Sequence, residues 1–307
     1  MSRTEAVGNR PALRLTHFGA AGWSITDGAT TFLLDPYLSR IRFKGRRFGP
    51  ADATEVSNDP RPIVQMDEAA ETDTATVDAH VPRADYVMLS HSHFNHCMDM
   101  PYIAKKTGAV VIGTESTVNV AMNNGVPLEQ TLAVNGGEDY AFDRFSLRVI
   151  PSLHSALSCK LYRDFGTIPA TAKPLSLDEY VEGGTLAYLL RVAGREILMF
   201  GSMNYIEREV EGLRPDIALI AAAPPRLEIT DYTARRMRCL GSRPLVIATH
   251  WDDQGLPFGA PQDKALAHTG TFVEEVHAVA PDSEVVVPLH FQTVVVDGRG
   301  TVSLDGP

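Results

Sequence analysis

The segment His91-Ser92-His93-Phe94-Asn95-His96 constrains this chain more than any other stretch, because it stands directly behind the apolar run Tyr86-Val87-Met88-Leu89 and a single serine. A strand that ends there delivers three imidazoles onto one loop. Histidine is the commonest metal ligand near neutral pH, and its neutral ring suits Zn, Fe, Ni or Cu. His91 and His93, two residues apart, can turn toward one ion while His96 points to a neighbouring position. The bland alternative is a polar loop with unrelated histidines. With ten histidines in 307 residues, chance rarely puts three into six positions, so the segment predicts a metal site.

SHSHFNH also resembles the HxHxDH signature of the metallo-β-lactamase superfamily, and the resemblance runs over most of the chain in the family's order. LRLTHFGAAGWSITDGATTFLLDPYLS is similar to the opening hairpin of the branch that contains L-ascorbate-6-phosphate lactonase and the N-acylphosphatidylethanolamine-hydrolysing phospholipase D, with Asp35 closing its second strand. VIPSLHS, ILMFGSMNY and LVIATHWDD stand where the later motifs belong. The resemblance implies an αββα sandwich. It implies that His91, His93 and His154 hold a first ion and that His96 and His250 help to hold a second. Two positions depart from the pattern: Asn95 and Ser202 stand where the family has aspartates. A three-histidine site with an open position suffices for a catalytic zinc. Without the two carboxylates the second ion is expected to be weak, so one divalent ion is expected, Zn first and Mn, Fe or Ni as alternatives.

Other residues extend the site. Asn95 can donate an amide hydrogen to developing negative charge, which a carboxylate cannot. Ser202 can hydrogen-bond a water, and Tyr205 can donate to an oxyanion. Asp252 and Asp253, behind His250, are either replacement carboxylates or solvated caps. Asp35 suits the role of carboxylate partner to a ligating histidine, and Asp99 suits the same role or a helix cap. His17 reads as structural or supporting, His290 as a packed histidine, Cys97 as a buried thiol, and Asn204 as a residue serving backbone groups. His80, His268 and His277 read as surface histidines. The basic run Arg40–Arg47 either attracts a phosphate or carboxylate or pairs with the acidic stretch Asp67–Asp73. The insert 158–184 carries Tyr162, Phe165, Ile168 and Tyr180 and suits a pocket wall or lid.

Strands are expected over 13–18, 30–35, 85–90, 109–113, 145–150, 186–192, 196–200, 217–221, 245–248 and 285–288, and helices over 100–107, 117–123 and 263–280. The pattern alone says α/β; the sandwich comes from the resemblance. One domain over 1–307 is expected, with irregular excursions at about 38–82 and 158–184. The net charge of −10 argues against a general nucleic-acid binder. No apolar run is long enough for a spanning helix, and the first fifteen residues lack a signal core. Three scattered cysteines are not a disulfide framework, and a reducing cytoplasm fits them. The expected partner is a small-molecule substrate, with an anionic group if the basic run acts on it; self-association is left open. The reading is a metal-dependent hydrolase of an ester, lactone or phosphodiester. Its rivals are a binding protein that kept the fold and a non-hydrolytic metalloenzyme on iron, nickel or copper.

Overall fold

A computed structural model describes residues 10–43, 59–156, 160, 164–241 and 244–306. The expectations for Lys44 to Arg47, Ser158, Cys159 and Tyr162 lie outside these residues. The strand-like runs are apolar at nearly every position because both faces of each strand are covered. Ile217–Ala221, for example, is buried throughout.

The first sheet opens with β1 (Leu13–Gly19), β2 (Gly22–Thr26) and β3 (Thr31–Leu34), an antiparallel meander. The short pair β4 (Arg42–Phe43) and β5 (Ile63–Val64) stands apart. β6 (Tyr86–Met88), β7 (Val110–Gly113) and β8 (Thr131–Ala133) then extend β3 in parallel. The second sheet repeats the plan. β9 (Asp139–Ala141), β10 (Ser146–Pro151), β11 (Leu186–Val192) and β12 (Arg195–Phe200) are antiparallel. β13 (Ile217–Ala221), β14 (Leu245–Thr249) and β15 (Val285–Val286) continue it in parallel. β16 (Thr293–Val296) and β17 (Val302–Asp305) return to the free edge of β1.

Alternate residues of each strand serve different layers. Trp23, Phe32, Leu34 and Met88 meet Tyr188, Met199, Leu219 and Ile247 between the sheets. Leu33, Val87 and Val111 face outward, under α1 (Thr74–His80), α2 (Phe94–Cys97), α3 (Met100–Thr107) and α4 (Glu115–Asn123). Leu198, Ile220 and Val246 pack under α5 (Glu207–Val210), α6 (Tyr232–Leu240) and α7 (Asp263–Val279). Phe272 and Val276 of α7 are fully buried, each stabilising the layer by about 2–3 kcal/mol. The architecture is the αββα sandwich.

The expected strands and helices form, but β2, β4, β5, β8, β9, β16, β17, α1, α2, α5 and α6 escaped the pattern. The first meander has two turns, not one: Ala20, at φ 47°, turns the chain before β2 between Gly19, itself at φ 93°, and Gly22. α1 lies inside the region read as irregular, capped by Asp73, whose carboxylate accepts from Thr76 N at 3.1 Å. α6 went unread because its inward face carries an arginine. Arg236 is buried, and its guanidinium lies 4.0 Å from the Phe200 ring and 4.1 Å from that of Tyr205.

Candidate metal centre

Loops leaving β6, β10, β12 and β14 meet at one end of the sandwich. The first is held from both sides: Ser92 N donates to Glu182 O at 2.9 Å, and Leu186 N donates to Ser90 O at 2.7 Å. One turn of α2 then carries His96. The ring centroids of His91 lie 4.9 Å from His93, 4.8 Å from His154 and 3.8 Å from His96. His93 and His154 are 4.7 Å apart, and His96 is 5.4 Å from His250. Nitrogen atoms of His91, His93 and His154 all lie within 4.8 Å of one another.

Hydrogen bonds set the tautomers. Asp35 Oδ1 accepts from Ser90 N at 2.7 Å, and its Oδ2 accepts from Ser90 Oγ at 2.5 Å. Ser90 Oγ has given its proton away, so at 3.0 Å it accepts from His91 Nδ1. His91 Nε2 is therefore a bare lone pair, buried and with no hydrogen-bond partner among the described residues. His154 Nδ1 donates to Ser155 O at 3.1 Å, which leaves Nε2 as the unprotonated nitrogen of that ring. Asp35 Oδ2 also lies 3.0 Å from His96 Nδ1. Burial holds the rings neutral: His91 is pushed well below its ordinary pKa, His154 to about 3 and His250 to about 4. Neutral, convergent and oriented by their second nitrogen, these imidazoles fit a divalent ion.

The backbone is constrained here too. Asp35 and His250 both adopt left-handed conformations, at φ 43° and 48°. Gly201 follows β12 where no side chain fits: a Cβ there would stand 1.9 Å from Ser90 Oγ and 2.2 Å from Asp35 Oδ2.

At the second position, His96 and His250 meet no carboxylate from residues 95 or 202. Asn95 Nδ2 donates to Gln254 Oε1 at 2.8 Å. Ser202 Oγ accepts from Ser155 N at 2.8 Å and so braces the loop of His154. Asp252 is not placed as a replacement ligand or base, because both of its oxygens are engaged. Oδ1 accepts from Ala20 N at 2.8 Å, while Oδ2 meets Arg40 Nη2 and lies 2.8 Å from His290 Nε2. Burial alone would raise this carboxyl, but the Arg40 charge and the His290 bond outweigh it and hold it far below the carboxylate range. Tyr205 belongs to the outer core of the second sheet, its ring against Phe200 and Arg236, which removes it from an oxyanion role. Asp99 stands at the N-cap of α3 without a side-chain capping bond; its carboxylate instead accepts from Leu38 N, Ser39 N and Ser39 Oγ. Asp253 accepts from Gly255 N at 3.0 Å.

The supporting roles read from the sequence fall to Cys97, a buried thiol whose Sγ lies 3.2 Å from Ser92 O, and to Asn204, which accepts from Tyr205 N. The two described cations of the basic run pair outside the acidic stretch 67–73: Arg40 with Asp252 and Arg42 with Asp59. Ser90, Gly201 and Gln254 went unread. Ser90 adjoins the motif and was legible in principle. Gln254 lies 159 positions from Asn95, and nothing local marks it.

His17 is fully buried beside this network, and burial lowers its pKa to about 4. It must take up a proton to unfold below about pH 6.5, its ordinary value. Its contribution is complete above that pH and is lost as the pH falls toward 4. In chelator, the stability of the protein is expected to fall by up to about 1.4 kcal/mol per pH unit on account of this residue. Urea unfolding between pH 7 and pH 4.5 measures it, and His17→Gln should flatten the slope by about one proton.

Comparison with known proteins agrees with the geometry. Residues 14–234 match the model of the beta-lactamase superfamily domain. A metal-dependent hydrolase of Heliobacterium modesticaldum is 26% identical over 217 residues, spanning 68% of this chain and 70% of the relative. One of Carboxydothermus hydrogenoformans is 24% identical over 213 residues, 69% of each chain. The solved structure of a metallo hydrolase from Ignicoccus hospitalis superposes with a TM-score of 0.58 at 16% identity, covering 92% of this chain and 98% of that one.

Proposed function

This chain belongs to the beta-lactamase superfamily, and from that premise we propose that it is a metal-dependent hydrolase of an ester, lactone or phosphodiester, working with one tightly held divalent ion, zinc by preference. The observation that carries the reading is the convergence of His91, His93 and His154 within 4.8 Å, with the Nδ1 atoms of His91 and His154 tied back as donors. An ion bound there supplies Lewis-acid polarisation of the scissile group and activation of water. The chain's own residues do the rest. Asp35 and Ser90 keep the His91 ring in the tautomer that ligates. Ser202 and Ser155 fix the loop that presents His154. His96 and His250 border the position where substrate would lie and contact it, or hold a weaker second ion. Asn95, held by Gln254, offers a neutral amide where a carboxylate would repel an anion. The substrate class follows the likeness of the opening hairpin to the lactonase and phospholipase D branch. The carbon–oxygen and phosphorus–oxygen esters can be separated by a panel of activated substrates assayed with Zn, Mn, Fe and Ni. Turnover abolished by chelation supports the reading; silence across the panel with the ion in place would sink it.

The two neutral positions lead to a count. Protein dialysed against a weak chelator is expected to keep about one ion, because two histidines without a carboxylate hold a second ion poorly. Asn95→Asp with Ser202→Asp should raise that number toward two. Atomic absorption on both proteins decides, and an unchanged count in the double variant would show that these positions do not face the second ion.

A further inference from the structure

Arg40 is a buried guanidinium that uses only part of its donor capacity. Its Nη2 meets Asp252 Oδ2 and lies 2.8 Å from His290 Nε2. Its Nε and Nη1 are buried and have no hydrogen-bond partner among the described residues. The indole Nε1 of Trp251, the residue before Asp252, is buried and unpaired in the same way. These groups surround one imidazole. His290 stacks on Trp251 with ring centroids 5.8 Å apart and planes at 9°, and Phe258 stands edge-on to it at 5.3 Å. Phe258 also covers the Arg40 guanidinium at 4.6 Å. Folded interiors pair nearly all buried donors, because an unpaired one forfeits its hydration without return. Three donor nitrogens, two of them on a permanent cation, have no acceptor among the described residues, and the side chains that carry them both contact His290, a donor-rich set suited to oxygen anions. His17 supplies a bare acceptor: its Nε2 can only donate to Ala20 O, so its Nδ1, unpaired among the described residues, is a lone pair suited to a hydroxyl.

The shell adjoins the metal centre. Ala20 N donates to Asp252, and Ala20 O accepts from His250 N at 2.8 Å, so one residue links the two. Asp252 offsets the charge of Arg40, and residues 95 and 202 bring no carboxylate to oppose an incoming anion. We propose that Arg40 and Trp251 form a subsite for a compact oxyanion, a carboxylate or phosphate group that the substrate carries beside its scissile bond. Its place in substrate recognition rests on the hydrolase reading; the binding of the anion does not.

Trp23 and Trp251 are the chain's two tryptophans, and both flank His17, at 4.7 and 6.0 Å. Intrinsic fluorescence therefore reports on this shell. Sodium acetate and inorganic phosphate are titrated separately at constant ionic strength, into chelated and into zinc-supplemented protein. The expected result is a saturable change with one of them in both preparations, with a rise in the thermal unfolding midpoint, since an anion that binds only the folded state stabilises it. The responding anion identifies the group as carboxylate or phosphate. Arg40→Lys keeps a cation against Asp252 but loses the planar donors, and should weaken binding by about tenfold or more. Trp251→Phe, followed through Trp23 and the unfolding midpoint, should weaken it as well, and serves if Arg40→Lys does not fold. No saturable response, equal affinity in a folded Arg40→Lys protein, or a response only in the zinc-supplemented preparation would overturn the subsite. Anion binding without turnover on any substrate would leave the subsite standing and count against the hydrolase; turnover without anion binding would do the reverse.

Discussion

Exchange of His91 or His154 for alanine is expected to strip the centre of its ion and to lower chelator-sensitive hydrolysis by roughly 10³-fold or more. An ion's Lewis acidity is worth several kcal/mol of transition-state stabilisation, and about 4 kcal/mol corresponds to three powers of ten. No carboxylate of residues 95, 202 or 252 stands by as a reserve ligand, and His96, its ring 3.8 Å from that of His91, has its Nδ1 on Asp35. Asn95 is bound to Gln254, Ser202 accepts a backbone N–H, and both oxygens of Asp252 are taken. Two histidines would remain of a set of three, too few for a structural or catalytic zinc. Metal content by mass spectrometry and kcat/KM on the responding substrate test this, with far-UV circular dichroism as the control for folding. A variant that keeps one equivalent of ion and a rate within tenfold of the parent would show that the triad is not the centre.

Gly201→Ala should cost about 3 kcal/mol or more of stability and weaken the ion about 10–100-fold, although residue 201 touches no histidine ligand by itself. The added methyl would collide with Ser90 Oγ at 1.9 Å, Asp35 Oδ2 at 2.2 Å and Ser90 Cβ at 2.4 Å. None of these can step aside cheaply. Ser90 Oγ is held by Asp35 and receives the His91 Nδ1 proton, and Asp35 also faces His96. Relief of the clash therefore breaks buried, charge-assisted hydrogen bonds and frees the His91 ring to turn. Gly270 is the control: it lies in α7 with nothing within 4 Å of a Cβ, so Gly270→Ala should be neutral or stabilise by up to about 1 kcal/mol. Urea unfolding of the chelated proteins and a zinc titration measure both effects. A Gly201→Ala protein as stable and as tight as the parent would show that the clamp yields more easily than its geometry says.

The apolar runs at 86–89, 217–221 and 245–248 were readable as strands because both of their faces are covered, so burial writes itself into every residue. Helices 100–107 and 263–279 were readable from their spacing and their ends. α6 was not, because aromatic rings rather than solvent shelter its Arg236, and a buried cation breaks the pattern on which such a reading rests. The turn at Ala20 was missed although Gly19 and Gly22 flank it; the left-handed residue between them is an alanine, whose N–H donates to Asp252 more than two hundred positions away.

By themselves the local patterns of the sequence determined α/β, from continuous apolar runs, and the cluster of His91, His93 and His96 where one such run stops. The sandwich, and the joining of His154 and His250 to that cluster, came through the resemblance of the motifs to the superfamily. The tertiary structure decided what the neighbouring polar residues do. Asp252 read as a free carboxylate and is half of a buried ion pair. Tyr205 read as a donor and is core. Arg40 read as part of a run that attracts an anion or pairs with the stretch 67–73, and is a buried cation on Asp252 with donors to spare. The physical reason is common to all three. A histidine behind a strand is placed by a few residues of its own chain, whereas the state of a charge depends on whatever remote groups the fold brings within hydrogen-bond distance.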